Sequence, residues 1–145
     1  MNDILIQKVA YGAEFYRQTT RLREDVLRKP LGMKLGAEEL QNDTGCHHIA
    51  ALQDGTVVGC LVLLPLPEGV LKMRQVAVAS GRQRGGVGKK MILWAEGFAR
   101  AGGFRAITLN SRETAVGFYE KLGYKKTGQP FIEVTIPHQT MEKQL

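Results

Sequence analysis

Three features of the sequence predict an α/β domain of the α+β kind, one domain over residues 1–145. An apolar-biased segment at residues 71–78 runs through a loop rich in Arg and Gly into an amphipathic stretch reaching Arg100, the order strand, tight turn, helix. Asp54-Gly55 separates two apolar runs, 47–52 and 56–64, which is a strong hairpin signal. Ala115, Phe118, Tyr119 and Leu122 stand at i, i+3, i+4 and i+7, the spacing of a second helix. A chain of 145 residues can bury about two-thirds of its unfolded surface in one core, so no disulfide or metal staple is required.

Taken in order, residues 4–9 read as a first strand with partial alternation. Residues 13–28 follow as a helix: Phe15, Thr19, Leu22 and Val26 recur at helical spacing, Arg17, Arg21 and Arg28 share another face, and Pro30 with Gly32 ends the segment. Residues 32–45 are weakly patterned, with a short helix at 37–41 and a turn at 43–45. The stretch 57–64 is almost continuously apolar, which predicts a central strand covered on both faces, and Pro65, Pro67 and Gly69 mark a turn after it. Arg74 interrupts the next strand, and a buried arginine requires an anion or a carboxylate partner.

In the following helix Val87, Met91, Trp94, Ala95 and Phe98 form one stripe, while Lys89, Lys90, Glu96 and Arg100 fall elsewhere. Gly102-Gly103 ends it, and residues 106–109 make a short strand running into Asn110, Ser111 and Arg112. Gly123 stops the second helix and Tyr124 opens another strand. An apolar stretch at 131–136 then leads through Pro137-His138 to a C-terminal segment.

The charge balance narrows the function classes. Lys and Arg number 20 against 14 Asp and Glu, a net charge of +6, yet the basic residues are dispersed and often neighbour acidic ones, as in Arg21-Leu-Arg-Glu-Asp25. With no basic stripe carrying interleaved aromatics and no helix-turn-helix pattern, the excess fits anionic small ligands better than nucleic acid. Cys46 and Cys60 lie in or beside strand-like segments, form no CxxC pair and belong to no His/Cys cluster, which predicts free thiols in a reducing compartment and no metal. His47 and His48 are expected to flank a strand. Residues 1–11 hold only a short apolar run with Asp3 and Lys8 nearby, neither a signal peptide nor a membrane span, so the expectation is a cytoplasmic protein with no membrane partner.

The Gly-rich loop carries the chemistry. Backbone N–H groups at a helix start lack intrahelical partners, Gly85, Gly86 and Gly88 permit close approach to them, and Arg82 and Arg84 add charge, a combination suited to a pyrophosphate. A Walker loop is excluded by Gln83 and Lys90 at its required Gly and Ser/Thr positions, and a dinucleotide fingerprint by Met91. What remains is Gln83-Arg84-Gly85-Gly86-Val87-Gly88, of the form Q/R-x-x-G-x-G, followed by Ala115-Val-Gly-Phe-Tyr-Glu-Lys-Leu-Gly-Tyr124, of the form A-x-x-x-Y-x-x-x-G-[FY]. In that order the two motifs resemble the GNAT superfamily of N-acetyltransferases, a resemblance that extends over essentially the whole chain.

The resemblance implies a mixed, mostly antiparallel sheet of about six to seven strands with about four helices, splayed between its fourth and fifth strands to admit the pantetheine arm of acetyl-CoA. Acetyl-CoA is then a co-substrate, held by Gln83, Arg84, Gly85, Gly86, Val87, Gly88 and Lys89 with Asn110 nearby, and no metal is involved. A backbone N–H among Val76, Ala77 and Val78 would meet the oxyanion. Tyr119 would protonate the departing thiolate.

Four further pieces, Val26-Leu-Arg-Lys-Pro-Leu31, Met73-Arg-Gln75, Asn110-Ser-Arg112 and Ile136-Pro-His138, resemble segments of the glyphosate N-acetyltransferase-like subgroup. In that subgroup arginines bind a phosphonate or carboxylate and the histidine is the base, roles that fall here to Arg28, Arg74, Arg112 and His138. The segment before Pro137 departs from the subgroup, reading Phe131-Ile-Glu-Val-Thr-Ile without the extra Pro and Gly. Glu133 or a water chain is the alternative base. The expected activity is direct acetyl transfer to a small anionic amine of the amino acid or aminophosphonate type, by a monomer or homodimer. The alternatives are a protein or peptide N-acetyltransferase and a non-catalytic coenzyme A-binding regulatory module.

Overall fold

The apolar run that starts at Val57 forms the middle of the sheet in the computed structural model, which describes residues 3–83 and 85–145. Met1, Asn2 and the loop residue Arg84 lie outside the described residues. The strands are β1 (Leu5–Val9), β2 (His47–Gln53), β3 (Thr56–Leu66), β4 (Val70–Val78), β5 (Ala106–Arg112), β6 (Lys125–Lys126), β7 (Phe131–Glu133) and β8 (Ile136–Gln144). The helices are α1 (Glu14–Arg23), α2 (Ala37–Gln41), α3 (Val87–Ala101) and α4 (Val116–Lys121). One sheet of eight strands runs in the order β1, β2, β3, β4, β5, β8, β6, with β7 paired to β8. All pairings are antiparallel except β4 with β5, so the sheet is mixed as the sequence predicts.

Strand periodicity divides the core between the two faces of the sheet. Ile49, Ala51, Leu61 and Leu63 meet Met91, Ile92, Ala95 and Ala99 of α3 on one face, whereas Ala50, Leu52 and Cys60 meet Leu22 and Leu27 from the α1 side on the other. β3 is therefore covered on both faces. α3 lies so close to it that a Cβ on Gly59 would stand 3.0 Å from both Met91 Cε and Val87 Cγ1. The hairpin joining β2 and β3 turns at Asp54 (φ 53°) and Gly55 (φ 74°), the left-handed pair its sequence signals.

Three expectations change. The apolar stretch at 131–136 is not continuous: Val134 (φ 43°) and Thr135 (φ 69°) form a tight turn between β7 and β8, and β8 then runs to Gln144 as a full strand beside β5. β-branched residues disfavour positive φ, so no turn signal was written there. Glu96, assigned by its spacing to the polar side of α3, is 2% exposed. It accepts hydrogen bonds from Tyr124 Oη (3.0 Å), just before β6, and Lys143 Nζ (3.0 Å) of β8.

The first helix does not continue to Arg28 as a regular α-helix. After α1 a π turn occupies Glu24–Arg28, and one widened turn shifts everything beyond it by about one residue, roughly 100° around the axis. Arg17 and Arg21 stay at the surface against Glu14, while Arg28 turns inward and is buried. Arg23, just before the π turn, is also buried, at 0% exposure. It donates two hydrogen bonds to the Asp43 carboxylate (2.6 and 3.2 Å), which also accepts one from Tyr16 Oη (2.7 Å). Arg23 Nε donates to the side-chain oxygen of Gln75, linking this buried pair to β4.

Breaking a buried ion pair from one side leaves an uncompensated charge. Asp43→Ala is expected to lower unfolding free energy by about 3–5 kcal/mol in urea titration, whereas Asp43→Leu combined with Arg23→Met costs clearly less. A double variant as unstable as the single one would show that the pair is not the source of the effect.

Candidate active site

β4 and β5 pair in parallel only from Val70↔Ala106 to Met73↔Leu109. Beyond those residues both strands continue without each other, β4 to Val78 and β5 to Arg112. The cause is visible on the β3 side: between the pairs Val62↔Arg74 and Cys60↔Ala77, Leu61 alone faces both Gln75 and Val76. Such a bulge bends its strand, and Gln75 takes φ 51° to make it. A cleft of about 1010 Å³ opens where the strands part.

The loop after β4 and the start of α3 form one wall. Gly86 has φ 83°, a conformation that favours glycine, and sits immediately before α3. Gln83 Nε2 donates to Val78 O (3.1 Å), closing the loop on the end of β4, and Arg82 donates to Gln53 of the β2–β3 hairpin. A Cβ on Gly88 would meet only ordinary contacts, Phe118 at 3.6 Å and Val78 at 3.8 Å. The protein itself does not require glycine at that position, so its missing side chain leaves room in the cleft above the first turn of α3. Orphan N–H groups there favour an anion.

The opposite wall comes from β5, α4 and β8. Arg112 and His138 are directly opposite in the β5–β8 ladder, and cross-strand partners project from the same face. His138 is 5% exposed, and its Nδ1 lies 2.9 Å from Ile136 O. A carbonyl only accepts, so the neutral ring carries its proton on Nδ1 and leaves Nε2 as the basic nitrogen, 3.7 Å from Glu133 Oε2. Tyr119 is buried edge-on between Phe118 and Tyr124. Burial pushes its phenol up to about 12, and its hydroxyl has no hydrogen-bond partner among the described residues. Asn110 is oriented by Thr140 Oγ1, which donates to its Oδ1 at 2.9 Å.

Each residue singled out in the sequence can now be located. Arg28, Arg74, Arg112, His138, Tyr119, Val76, Ala77, Val78, Gln83, Gly86, Val87, Gly88, Lys89 and Asn110 all line the cleft. Gly85 is in the loop but not on the cleft wall, and Arg84 is outside the described residues. His47 and His48 lie within β2 rather than beside it, and Cys60 is buried in β3, all away from the cleft.

The arginines are not equivalent. Arg28 is paired with Glu39 of α2 (Nη2 to Oε2, 2.9 Å), whereas Arg74 and Arg112 have no carboxylate partner among the described residues. Arg112 Nη2 donates to Leu27 O (3.0 Å), and burial together with the Arg28 charge holds its guanidinium below its ordinary range. Glu39 and Gln75 are cleft residues that sequence reasoning missed. Gln75 carried a faint signal as a polar residue next to Arg74 in an apolar strand; Glu39 carried none, because its partner is eleven residues away across an unpatterned connection.

Comparison with known proteins agrees with this architecture. A model of the acetyltransferase (GNAT) family matches residues 13–124. The chain is 26% identical over 119 residues to YitI of Bacillus subtilis, an uncharacterized N-acetyltransferase, covering 78% of this chain and 80% of that one. A crystal structure from Lactobacillus plantarum, provisionally an N-acetyltransferase, is 27% identical, covers 99% of both chains and superposes with a TM-score of 0.88. A GNAT-family acetyltransferase from Elizabethkingia anophelis, solved with acetyl-CoA bound, is 18% identical with a TM-score of 0.75 over 98% of both chains.

Proposed function

The chain belongs to the acetyltransferase (GNAT) family and is an acyltransferase, and from that premise we propose that it moves acetyl from acetyl-CoA to the amine of a small anionic acceptor of the amino acid or aminophosphonate type. The observation that carries the acceptor is the pair Arg74 and Arg112, two guanidinium groups in one cleft with no carboxylate partner among the described residues. A planar guanidinium binds carboxylate or phosphonate through two parallel hydrogen bonds, which lysine does not reproduce. The four short segments resembling the glyphosate N-acetyltransferase-like subgroup support the same acceptor class.

Acetyl-CoA enters with its pyrophosphate at the loop of Gln83, Gly85 and Gly86 and the first turn of α3, where Val87, Gly88 and Lys89 offer backbone N–H groups and charge. Arg84 belongs to the same motif by sequence. The pantetheine arm then runs between the parted strands, in reach of Asn110, and its thioester lies near Val76, Ala77 and Val78. The acetyl-CoA held by the Elizabethkingia protein, of the same fold, is consistent with this donor.

His138 Nε2 takes a proton from the acceptor's ammonium, and the freed amine attacks the thioester carbonyl. A backbone N–H of the open part of β4 stabilises the oxyanion, already oriented before the reaction. When the C–S bond breaks, Tyr119 gives its proton to the sulfur, yielding the amide and free thiol. The nitrogen's second proton leaves to solvent as the tetrahedral intermediate collapses, Tyr119 recovers a proton from solvent and His138 releases its own, so the products are the amide, the free thiol and one proton. A phenol kept protonated to about 12 remains a donor throughout the neutral range.

Release of free coenzyme A in the presence of amino acids and aminophosphonates tests the reading: turnover with at least one is expected, and acetyl-CoA binding without turnover of any would overturn it. His138→Ala is expected to lower kcat by about 10²–10⁴ with acetyl-CoA binding retained, and a loss below about tenfold would remove His138 as the base. Arg74→Ala is expected to raise KM for anionic amines and to spare neutral ones. Equal losses for both would make the arginine structural.

A further inference from the structure

Glu39 takes no part in the acetyl transfer described above, yet it is one of two acidic residues on the cleft wall among the described residues, and the other, Glu133, faces His138. Three donors converge on its carboxylate. Arg28 approaches side-on with one edge, Nε to Oε1 at 3.4 Å and Nη2 to Oε2 at 2.9 Å, and Gln75 Nε2 donates to Oε2 at 3.2 Å. Gln75 is itself held by Arg23, and Arg23 by Asp43, both of them buried. A residue on a five-residue helix is thus tied to the rigid centre of the sheet by a continuous polar chain.

The chain fixes how much positive charge the cleft offers. Arg28 Nη1 and Arg112 Nη2 both donate to Leu27 O, at 3.2 and 3.0 Å, so two guanidinium groups crowd around one carbonyl. Glu39 cancels one of them. Of the arginines assigned to the acceptor, Arg74 and Arg112 then remain without a carboxylate partner among the described residues, and Arg28 alone has its guanidinium fork already filled.

We propose that Glu39 is the residue that sets acceptor charge: by neutralising Arg28 it makes the site select amines bearing one acidic group over amines bearing two. A second anionic group reaching Arg28 must displace Glu39 or meet its charge, a repulsive element built into the site against the wrong acceptor. The inference rests on the acceptor being a small anionic amine.

The test compares kcat/KM for matched acceptors differing by one carboxylate, alanine with aspartate and 2-aminobutyrate with glutamate, in the wild type and Glu39→Gln. The wild type is expected to favour the monoacidic partner of each pair. In Glu39→Gln, of the same size but uncharged, the diacid-to-monoacid ratio is expected to rise by about tenfold or more, as one charge-assisted contact is exchanged between carboxylates. Glu39→Ala, which removes the carboxylate without adding an amide, shifts the ratio the same way and covers poor folding of the first variant. A smaller shift in both variants, or a wild type that favours the diacids, overturns the proposal. If the wild type acetylates no anionic amine, the acceptor reading fails by itself. Calorimetric titration of alanine and aspartate into each protein in the presence of coenzyme A then decides the charge preference by the same threshold.

Discussion

The architecture turns on where one pair of strands stops pairing. β4 and β5 hold each other from Val70 to Met73 and part thereafter, so the second half of β4 has β3 on one side and no strand on the other. An interior strand edge with unpaired N–H and C=O groups carries a free-energy cost unless something occupies it. The loop at Gln83 and Gly86, the start of α3, Tyr119 on α4 and His138 on β8 all gather around that one gap. The bulge at Gln75 keeps it open, and the buried Arg23–Asp43 pair holds the Gln75 side chain from behind. A charge pair buried at this depth is weak evidence for stability. Its geometric consequence is clearer: it joins the end of α1, the segment before β2 and the bend in β4 into one unit.

Charge in the cleft follows from the same unit. The π turn rotates Arg28 away from the surface face it would share with Arg17 and Arg21, and the Asp43–Arg23–Gln75–Glu39 chain meets it there. Arg112 arrives from β5 and Arg74 from β4, so the three cleft arginines come from three different elements. His138 stands across the ladder from Arg112, on the neighbouring strand. An acceptor held by the arginines would therefore present its amine close to Nε2, with little side-chain motion needed to bring the reacting groups together.

Much of this was legible in the sequence where the signal is local. Asp54-Gly55 wrote its hairpin, the glycines around Gly86 wrote the turn into α3, and the spacing of Val87, Met91 and Ala95 marked a buried stripe. Apart from Arg74 and the Gly-rich turn, the residues that line the cleft were legible only through motif resemblance, because periodicity cannot report which strands part. Features set by distant partners stayed hidden. Glu96 reads as a surface residue until Tyr124 and Lys143 bury it, Arg23 reads as one more helix arginine, and Glu39 has no local pattern. The Val134-Thr135 turn was hidden for the opposite reason, since its residues argue locally for a strand.

If the open edge of β4 receives the donor, its backbone must change partners when the donor binds. Amide hydrogen exchange read residue by residue with and without acetyl-CoA measures that directly. Slowed exchange is expected at one or more of Val76, Ala77 and Val78, with Leu71 and Met73, already paired on both sides, unchanged. Acetyl-CoA binding with no change at any of those three amides would contradict it.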